Sequence, residues 1–248
     1  MEKIEGKNPV REALRAGAGL DRLVVAKGSE QSLRDILDLA AKAGIPVQWR
    51  ERDWLDKKSV TRAHQGVMAW RRPIGYVELP DLVTRAFELS SEPLIIILDG
   101  IQDPHNLGSV LRTAEAVGAH GVVIPKRRAV GLTATVAKVS AGAVEYVPVA
   151  QVTNLSQAIT TLKDAGLWVV GADMDGEALH FEADLTGPIA LVIGGEDRGL
   201  ARLTKDRCDF TVRLPMYGKI NSLNAAVATA VMLYEVVRQR VVNEASRG

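Results

Sequence analysis

The sequence predicts an α/β protein with a small amino-terminal α/β domain and a larger domain built on a parallel sheet. Past residue 92, continuous apolar runs rich in β-branched residues recur at 94–98, 122–124, 167–170 and 189–193. Helical stretches are predicted between these runs at about 107–119, 133–142 and 154–165. Buried strands that alternate with helices are typical of a parallel sheet that helices cover on both faces. Active sites in such sheets gather at the carboxyl ends of the strands.

The first seventy residues predict the small α/β domain. Asn8 is predicted to cap a helix that has Pro9 at its first position and ends at Gly17. A second helix is predicted from about Ser32 to Gly44. The predicted strands of this domain are 23–26, 46–49 and 66–70.

Two prolines and a glycine follow the last of these strands, in the segment 71–80, and predict a domain boundary there. We therefore expect a first domain over residues 1–72, a linker over 73–91 and a second domain over 92–248.

Composition limits the possible functions without choosing one. At 248 residues, with 47% hydrophobic and 25% charged residues, the chain is an ordinary globular protein. The net charge of +1 does not decide on nucleic-acid binding, which depends on where positive charges cluster. Clusters occur at 71–72 and 126–128, although solvated surface charge is the alternative reading. Because aromatic residues make up only 4%, base stacking on an aromatic platform is not expected to be the main mode of binding.

Several classes of site are not expected. Cys208 is the only cysteine, so no internal disulfide forms, and no cysteine and histidine spacing indicates a metal site. The amino terminus has no apolar core of a signal peptide, and the apolar run near 223–234 is too short to span a bilayer. We expect a soluble cytoplasmic protein that binds no membrane.

The first of three unusual segments follows the strand at 94–98. Asn106 is predicted to cap the helix after it, because Pro104 disfavours regular helix before that point. An apolar stripe runs along this helix, and Arg112 lies off the stripe. A capped surface helix with a solvated arginine is the simpler alternative.

The second segment, Gly194-Gly195-Glu196-Asp197-Arg198-Gly199, follows the strand at 189–193. Glycines allow the backbone to approach a ligand closely and to offer its donors and acceptors. Glu196 places an acid at the carboxyl end of the strand. A simple glycine-rich turn is the alternative.

The third segment runs from Leu214 to Asn224. Ser222 is predicted to cap a long helix that continues towards Arg240. Because residues 223–234 are nearly all apolar, most of the circumference of this helix is expected to be buried. A buried Asn224 would then need partners, from a ligand, a catalytic residue or the backbone, since an unsatisfied amide costs about 1–3 kcal/mol. Neither a Gly-x-Gly-x-x-Gly fingerprint nor a phosphate-binding loop is present, so a nucleotide-like cofactor would bind by another route.

These three segments resemble the motifs of the SpoU family of SPOUT methyltransferases, over residues 94–240 or so. Asp103-Pro104-His105-Asn106-Leu107-Gly108 through Arg112 is similar to the first motif. Ile193-Gly194-Gly195-Glu196 through Leu200 is similar to the second, and Leu214-Pro215-Met216 through Asn224 to the third. The first seventy residues resemble the L30e-like RNA-binding module that often precedes this domain, including the opening Ile4-Glu5-Gly6-Lys7-Asn8-Pro9-Val10.

The resemblance implies a fold and a reaction. The second domain would be a parallel-sheet α/β domain with a deep trefoil knot, would bind S-adenosyl-L-methionine in the knot, and would form a homodimer with a shared site. The reaction would be 2′-O-methylation of RNA ribose without a metal. The catalytic group implied by the resemblance is Asn106, Arg112, Glu196, Ser222 and Asn224. The implied cofactor-binding residues are Gly194, Gly195, Leu214, Met216 and Leu223.

The stretch 122–149 and the tail 235–240 look most similar to family members that methylate a guanosine in the peptidyl-transferase P-loop of 23S rRNA. A tRNA substrate, or an rRNA site linked to antibiotic resistance, is the alternative within the family. A non-catalytic RNA-binding protein is the alternative from another class. In this family the arginine is often assigned as a general base. Because arginine side chains stay protonated in proteins, we expect Arg112 to bind a phosphate or the developing alkoxide instead.

Overall fold

The computed structural model describes residues 2–15, 19–61, 63–71, 75–195, 199–219 and 221–247. The chain divides into two compact units, Met1–Ile74 and Gly75–Gly248, so the division falls inside the segment 71–80 where the boundary was predicted. Within the described ranges, no helix is long and apolar enough to cross a membrane.

The amino-terminal unit is built on a four-stranded mixed sheet. Its strands are β1 (Glu2–Glu5), β2 (Leu20–Ala26), β3 (Val47–Arg50) and β4 (Val67–Arg71), in the order β1-β4-β2-β3. Strand β4 pairs antiparallel with β1 and β2, whereas β2 and β3 are parallel. The helices are α1 (Lys7–Arg15), α2 (Arg34–Lys42) and α3 (Arg52–Lys58). Apolar residues of α1 and α2 pack on one face of the sheet, with Val10, Ile36 and Leu23 fully buried.

The three predicted strands of this unit are confirmed, and so is the end of α2, where Gly44 has φ +66°. The predicted start of α1 is wrong. The helix begins at Lys7, and the Asn8 Oδ1 accepts a hydrogen bond from Arg11 Nη1 at 2.7 Å instead of capping the helix. Gly17, the predicted end, lies outside the described residues. Strand β1 and helix α3 were not predicted.

The carboxyl-terminal unit is built on a seven-stranded sheet in the order β7-β6-β5-β10-β8-β11-β9. Its strands are β5 (Leu94–Asp99), β6 (Gly121–Pro125), β7 (Val149–Val152), β8 (Trp168–Ala172), β9 (Ala178–Leu179), β10 (Ile189–Gly194) and β11 (Phe210–Arg213). Every pairing between these strands is parallel. Strands β5 and β10 are neighbours at the centre of the sheet, and the first five residues of each are buried. The predicted parallel α/β sheet is confirmed, while the knot stays a prediction.

Helices cover both faces of this sheet, which explains why its central strands are apolar on both sides. They are α4 (Leu79–Leu89), α5 (Pro104–Ala116), α6 (Ala134–Val139), α7 (Leu155–Asp164), α8 (Arg202–Lys205) and α9 (Ala225–Arg247). Helices α4 and α7 share one core with side chains such as Ile95 and Val192. Helix α5 packs against α9 and β6, and α9 also packs against β10.

Three predictions need correction here. Residues 79–89 of the segment expected to be a linker form α4, whose Leu82 and Ala86 are buried in the core of the second unit. Helix α5 begins at Pro104, and its cap is Asp103, whose Oδ1 accepts from the His105 amide at 2.8 Å. The helix predicted over 133–142 ends at Val139, because the next residues turn into a short 3₁₀ segment through positive φ. Strands β7, β9 and β11 were not predicted.

Candidate active site

A cavity of about 550 Å³ opens at the carboxyl ends of β8, β10 and β11. This is the edge at which parallel sheets usually bind ligands, and the volume is in the range of about 300–1,000 Å³ that small-molecule sites occupy. All five residues expected to bind the cofactor line it: Gly194, Gly195, Leu214, Met216 and Leu223. Ser222, a member of the expected catalytic group, lines it as well. The structure thus brings the second and third sequence motifs together around one cavity.

Backbone forms one wall of this cavity. The Gly195 amide donates to the Asp99 carbonyl at 2.9 Å, and the Gly199 amide donates to the Gly195 carbonyl at 2.9 Å. A Cβ atom added at Gly194 would overlap the carbonyl group of Gly199, so only glycine fits there. The chain therefore approaches itself closely at the end of β10, and glycine residues form this part of the cavity wall.

The rest of the wall is suited to a ligand with an apolar ring and a positive charge. Met216 and Leu223 keep 38% and 39% of their surfaces exposed, so apolar area is available to a flat heterocycle. The carboxylate-bearing residues Asp173 and Asp175 also line the cavity. The volume, the apolar surface, the glycine backbone without side chains and the acids together fit S-adenosyl-L-methionine, which carries an adenine ring and a sulfonium.

Asp173, which the sequence analysis did not single out, anchors this wall. Its Oδ1 accepts from Lys205 Nζ at 2.8 Å and from the Asp175 amide at 3.1 Å. Burial alone would raise the pKa of Asp173, but these hydrogen bonds, the Lys205 charge and the Leu200 amide hold it below its usual range. The same pair raises the pKa of Lys205. Asp173 directly follows β8, just as Asp99 is the last residue of β5. An acid at the carboxyl end of an apolar strand was therefore a signal in the sequence that could have identified it.

The first and third motifs are joined by a hydrogen bond between two asparagines. Asn224 Nδ2 donates to Asn106 Oδ1 at 2.9 Å, and Asn106 is 93% buried in the first turn of α5. Asn224 Oδ1 in turn accepts from the amides of Ala226 at 3.0 Å and Val227 at 3.3 Å. The side chain of Asn224 therefore caps α9 and also contacts the first turn of α5.

The structure corrects four predictions about the site. Asn224, not Ser222, caps α9, and Asp103, not Asn106, caps α5. Asn224 is exposed rather than buried, because its amide sits at the open end of the helix. The circumference of α9 is also less buried than predicted: Val227, Val231 and Tyr234 are 50%, 40% and 56% exposed along one side.

Of the expected catalytic group, Ser222 is the only member among the described residues that line the cavity; Asn106 and Asn224 are not among them. Arg112 is exposed on α5, off the apolar stripe as predicted, and is not among the residues that line the cavity. Glu196 lies outside the described residues. Over the described part of the chain, no group of histidine, cysteine or carboxylate side chains could hold a metal ion.

Both units match known families. The SpoU rRNA Methylase family matches residues 93–234, and the family described as RNA 2′-O ribose methyltransferase substrate binding matches residues 3–76. A relative from Bacillus subtilis, YacO, whose name assigns it to the TrmH family of tRNA/rRNA methyltransferases, is 49% identical over 238 residues. That match covers 96% of this chain and 95% of the relative.

Solved structures give the same answer. The SpoU methyltransferase AviRb from Streptomyces viridochromogenes, solved in complex with AdoMet, is 27% identical and has a TM-score of 0.68. The match covers 96% of this chain and 90% of AviRb. An AdoMet-bound rRNA methyltransferase from Sinorhizobium meliloti is 25% identical, with a TM-score of 0.65 over 95% of this chain and 86% of that chain. The chain belongs to the SpoU rRNA methylase family and is an S-adenosyl-L-methionine-dependent RNA 2′-O-ribose methyltransferase.

Proposed function

We propose that the substrate is a guanosine ribose in the peptidyl-transferase P-loop of 23S rRNA. The main support for a large RNA substrate is a row of three exposed cations directly after β6: Lys126, Arg127 and Arg128. They lie at the carboxyl ends of the strands, the edge of the sheet that also holds the cavity. Cations in a row bind phosphates without reading sequence, and so position an RNA backbone beside the site.

The segment 122–149 supports the finer choice of substrate, because it is where the chain looks most similar to the P-loop guanosine enzymes. The separate amino-terminal domain, which matches a substrate-binding family, also favours a large structured RNA. A tRNA substrate is the second candidate, since the names of the relatives cover both tRNA and rRNA.

The mechanism follows from the residues around the cavity. S-adenosyl-L-methionine supplies an electrophilic methyl group when bound. Backbone groups at Gly194 and Gly195 and the apolar side chains of Leu214, Met216 and Leu223 would hold it in one orientation. Fixing two reactants in line can lower a barrier by about 7–11 kcal/mol, so orientation of the cofactor is one main contribution of these residues.

The catalytic group would act on the ribose hydroxyl. We assign Asn106 and Asn224 to positioning, through their hydrogen bond, and Ser222 to the wall of the cavity near the reacting atoms. The guanidinium of Arg112 would stabilise the negative charge that develops on the ribose oxygen as the hydroxyl releases its proton to solvent and the methyl group is transferred. Glu196, two positions after β10 in the sequence, would complete the group.

The site is shared across a homodimer in this proposal. Val227, Val231 and Tyr234 present an apolar stripe on α9, the helix against which α5 packs, and contiguous exposed apolar surface marks interaction sites. Arg112 points into solvent from α5, so it is free to reach the cavity of a second copy. Co-expression of Arg112→Ala and Glu196→Gln chains tests this: mixed dimers regain activity that neither variant has alone if the two residues come from different subunits. No recovery in mixed dimers would place both residues in one subunit.

Methylation of purified 23S rRNA and of bulk tRNA with labelled cofactor tests the substrate, with the Arg112→Ala protein as background. We expect label in 23S rRNA only, and mapping of 2′-O-methylation to place it in the P-loop. Label in tRNA, or elsewhere in 23S rRNA, would refute the assignment.

A further inference from the structure

Two arginines and two tryptophans form a continuous ladder on the amino-terminal sheet. The guanidinium of Arg22 lies 5.3 Å from the ring centroid of Trp70, and the centroids of Trp70 and Trp54 are 6.0 Å apart at 51°. The guanidinium of Arg50 then lies 5.8 Å from the Trp54 ring. Cation and aromatic planes thus follow one another without interruption across the unit.

The ladder occupies the face of the sheet opposite α1 and α2. Arg22 and Trp70 are register partners on β2 and β4, and side chains of paired residues point to the same face. Helix α3 covers only part of this face, where Leu55 packs with Val24 and Met68. Arg50 is exposed, Trp54 and Trp70 are half-buried, and the Arg22 side chain keeps 32% of its surface exposed.

The surroundings of the ladder add positive charge. Lys3 on β1 is the register partner of Trp70, and Lys57 and Lys58 end α3. Two acids lie among these cations: Asp21 Oδ2 is 3.5 Å from Arg22 Nη1, a half-buried contact, and Glu5 Oε1 is 3.3 Å from Lys3 Nζ. Arg50, Lys57 and Lys58 leave an excess of positive charge around the ladder.

This chemistry fits unpaired nucleotides. Bases that have left a helix stack on indole rings and guanidinium planes, whereas the bases of a duplex are stacked on each other and offer no open face. Guanidinium groups also bind phosphates. Although aromatic residues are scarce in this chain, two of its four tryptophans stand side by side with an arginine at each end. Local placement therefore matters more here than composition.

Resting on the proposed function, in which the chain acts on RNA, we propose that the Arg22–Trp70–Trp54–Arg50 ladder binds a single-stranded segment of the substrate by stacking and phosphate contact. The carboxyl-terminal unit carries the chemistry, and the ladder recognises unpaired nucleotides of the same RNA.

Fluorescence polarisation on the full-length protein tests this, with a labelled single-stranded RNA and a duplex of the same sequence and length. The double variant Arg22→Gln/Arg50→Gln removes both guanidinium groups. Its charge-matched control is Arg15→Gln/Arg34→Gln, on the helices that cover the other face of the sheet. Trp70→Leu removes one ring, and Trp70→Phe restores an aromatic face. Thermal melting shows which variants fold.

We expect wild type to bind the single strand more tightly than the duplex, and the Arg22/Arg50 variant and Trp70→Leu each to lose about tenfold or more in affinity for the single strand. Trp70→Phe and the control double variant stay within about threefold of wild type. Equal losses in both double variants, or a preference for duplex, would overturn the proposal in favour of diffuse electrostatic attraction. Folded variants with unchanged affinity would show that the ladder only packs the domain.

Measuring the rate of methyl transfer as a function of RNA concentration distinguishes a failure of the ladder proposal from a failure of the proposed function. If the ladder binds RNA, its variants raise KM and keep kcat. A wild-type protein that methylates neither 23S rRNA nor tRNA would refute the proposed function, whatever the binding curves show.

Discussion

The two sheets of this protein differ in which part is accessible to a ligand: a face in one, and the strand ends in the other. In the four-stranded sheet, helices α1 and α2 bury one face, and the other face presents side chains such as Arg22 and Trp70. In the seven-stranded sheet, helices cover both faces, and the carboxyl ends of strands such as β8 and β10 open into the cavity. An exposed face offers side chains to a partner, whereas exposed strand ends offer backbone and the loops that follow. We therefore expect substitutions on the first sheet to change RNA affinity and those on the second to change cofactor binding and rate.

The largest expected effect is at the backbone wall. Gly194→Ala places a methyl group on the carbonyl of Gly199, so the wall must shift; we expect loss of cofactor binding and about 1–3 kcal/mol of stability. Gly187→Ala, where a Cβ meets nothing within 4 Å, is the matched control. Calorimetric titration with S-adenosyl-L-methionine and thermal melting measure both. Normal binding by Gly194→Ala would show that main-chain shape at this strand end does not govern the site.

Arg112 provides the next effect, on rate alone. Removing a group that stabilises developing charge typically costs about 10²–10³-fold in kcat, and we expect this of Arg112→Ala. Arg112→Lys keeps a cation and should retain measurable activity. Single-turnover kinetics with saturating cofactor and RNA measure the rate. Complete and equal loss in both variants, with binding intact, would favour a role for the guanidinium that a charge alone does not fill.

Glu5 tests the amino-terminal unit by itself. Burial would raise the pKa of this carboxylate, but hydrogen bonds from Thr61, Ser59 and the Val60 amide hold it far below its usual 4.5. Such bonds to a charge contribute about 1.5–3 kcal/mol, so Glu5→Gln should destabilise the unit by about that much at neutral pH.

Because the folded-state pKa of Glu5 is lowered, its contribution is complete well above pH 4.5 and decreases as the pH falls below that value. Denaturant unfolding of wild type and Glu5→Gln between pH 7 and pH 3 should therefore show a difference that shrinks only at the acidic end. Glu12→Gln, on the exposed side of α1, is the control. A difference that grows in acid would contradict this reading, as would a change in cofactor affinity.

The smallest expected effect separates Asn224 from Ser222. Asn224→Ala removes the cap of α9 and should cost about 0.5–2 kcal/mol, whereas Ser222→Ala should change stability by less than about 0.5 kcal/mol. Asn224→Asp keeps the acceptor for the helix amides but loses the donor to Asn106, so its rate should fall more than its stability. Melting and single-turnover kinetics on the three variants measure this. If Ser222→Ala were the more destabilising, the cap would be at Ser222.

The sequence was most informative where one physical demand dominated. Strands buried on both faces must be continuously apolar, which is why β5 and β10 were predicted nearly to their ends. The cavity residues were predicted through the family resemblance, and the geometry places Gly194, Leu214 and Leu223 around one space. Short strands such as β7, with only two buried residues, give too weak a pattern.

Prediction failed where one residue type serves two purposes. Pro80 indicated a boundary, but proline is also favoured in the first turn of a helix, as in α4. Ser, Asp and Asn all cap helices, so the choice between Asp103 and Asn106, or between Ser222 and Asn224, depends on which side chain a tertiary contact holds. The hydrogen bond between Asn106 and Asn224 spans 118 positions and leaves no local trace in the sequence.

That hydrogen bond has a consequence for how variants of this protein would be read in a mutational screen. Asn224 caps a 23-residue helix and also holds the first turn of α5. In the proposed role of Asn224, selection for folding and selection for turnover would therefore act on one amide. Substitutions there would be scored as defects of abundance by one assay and as defects of catalysis by another, and both scores would be correct. An engineer who wishes to stabilise α9 without altering the enzyme should leave its first turn untouched and work on its distal half.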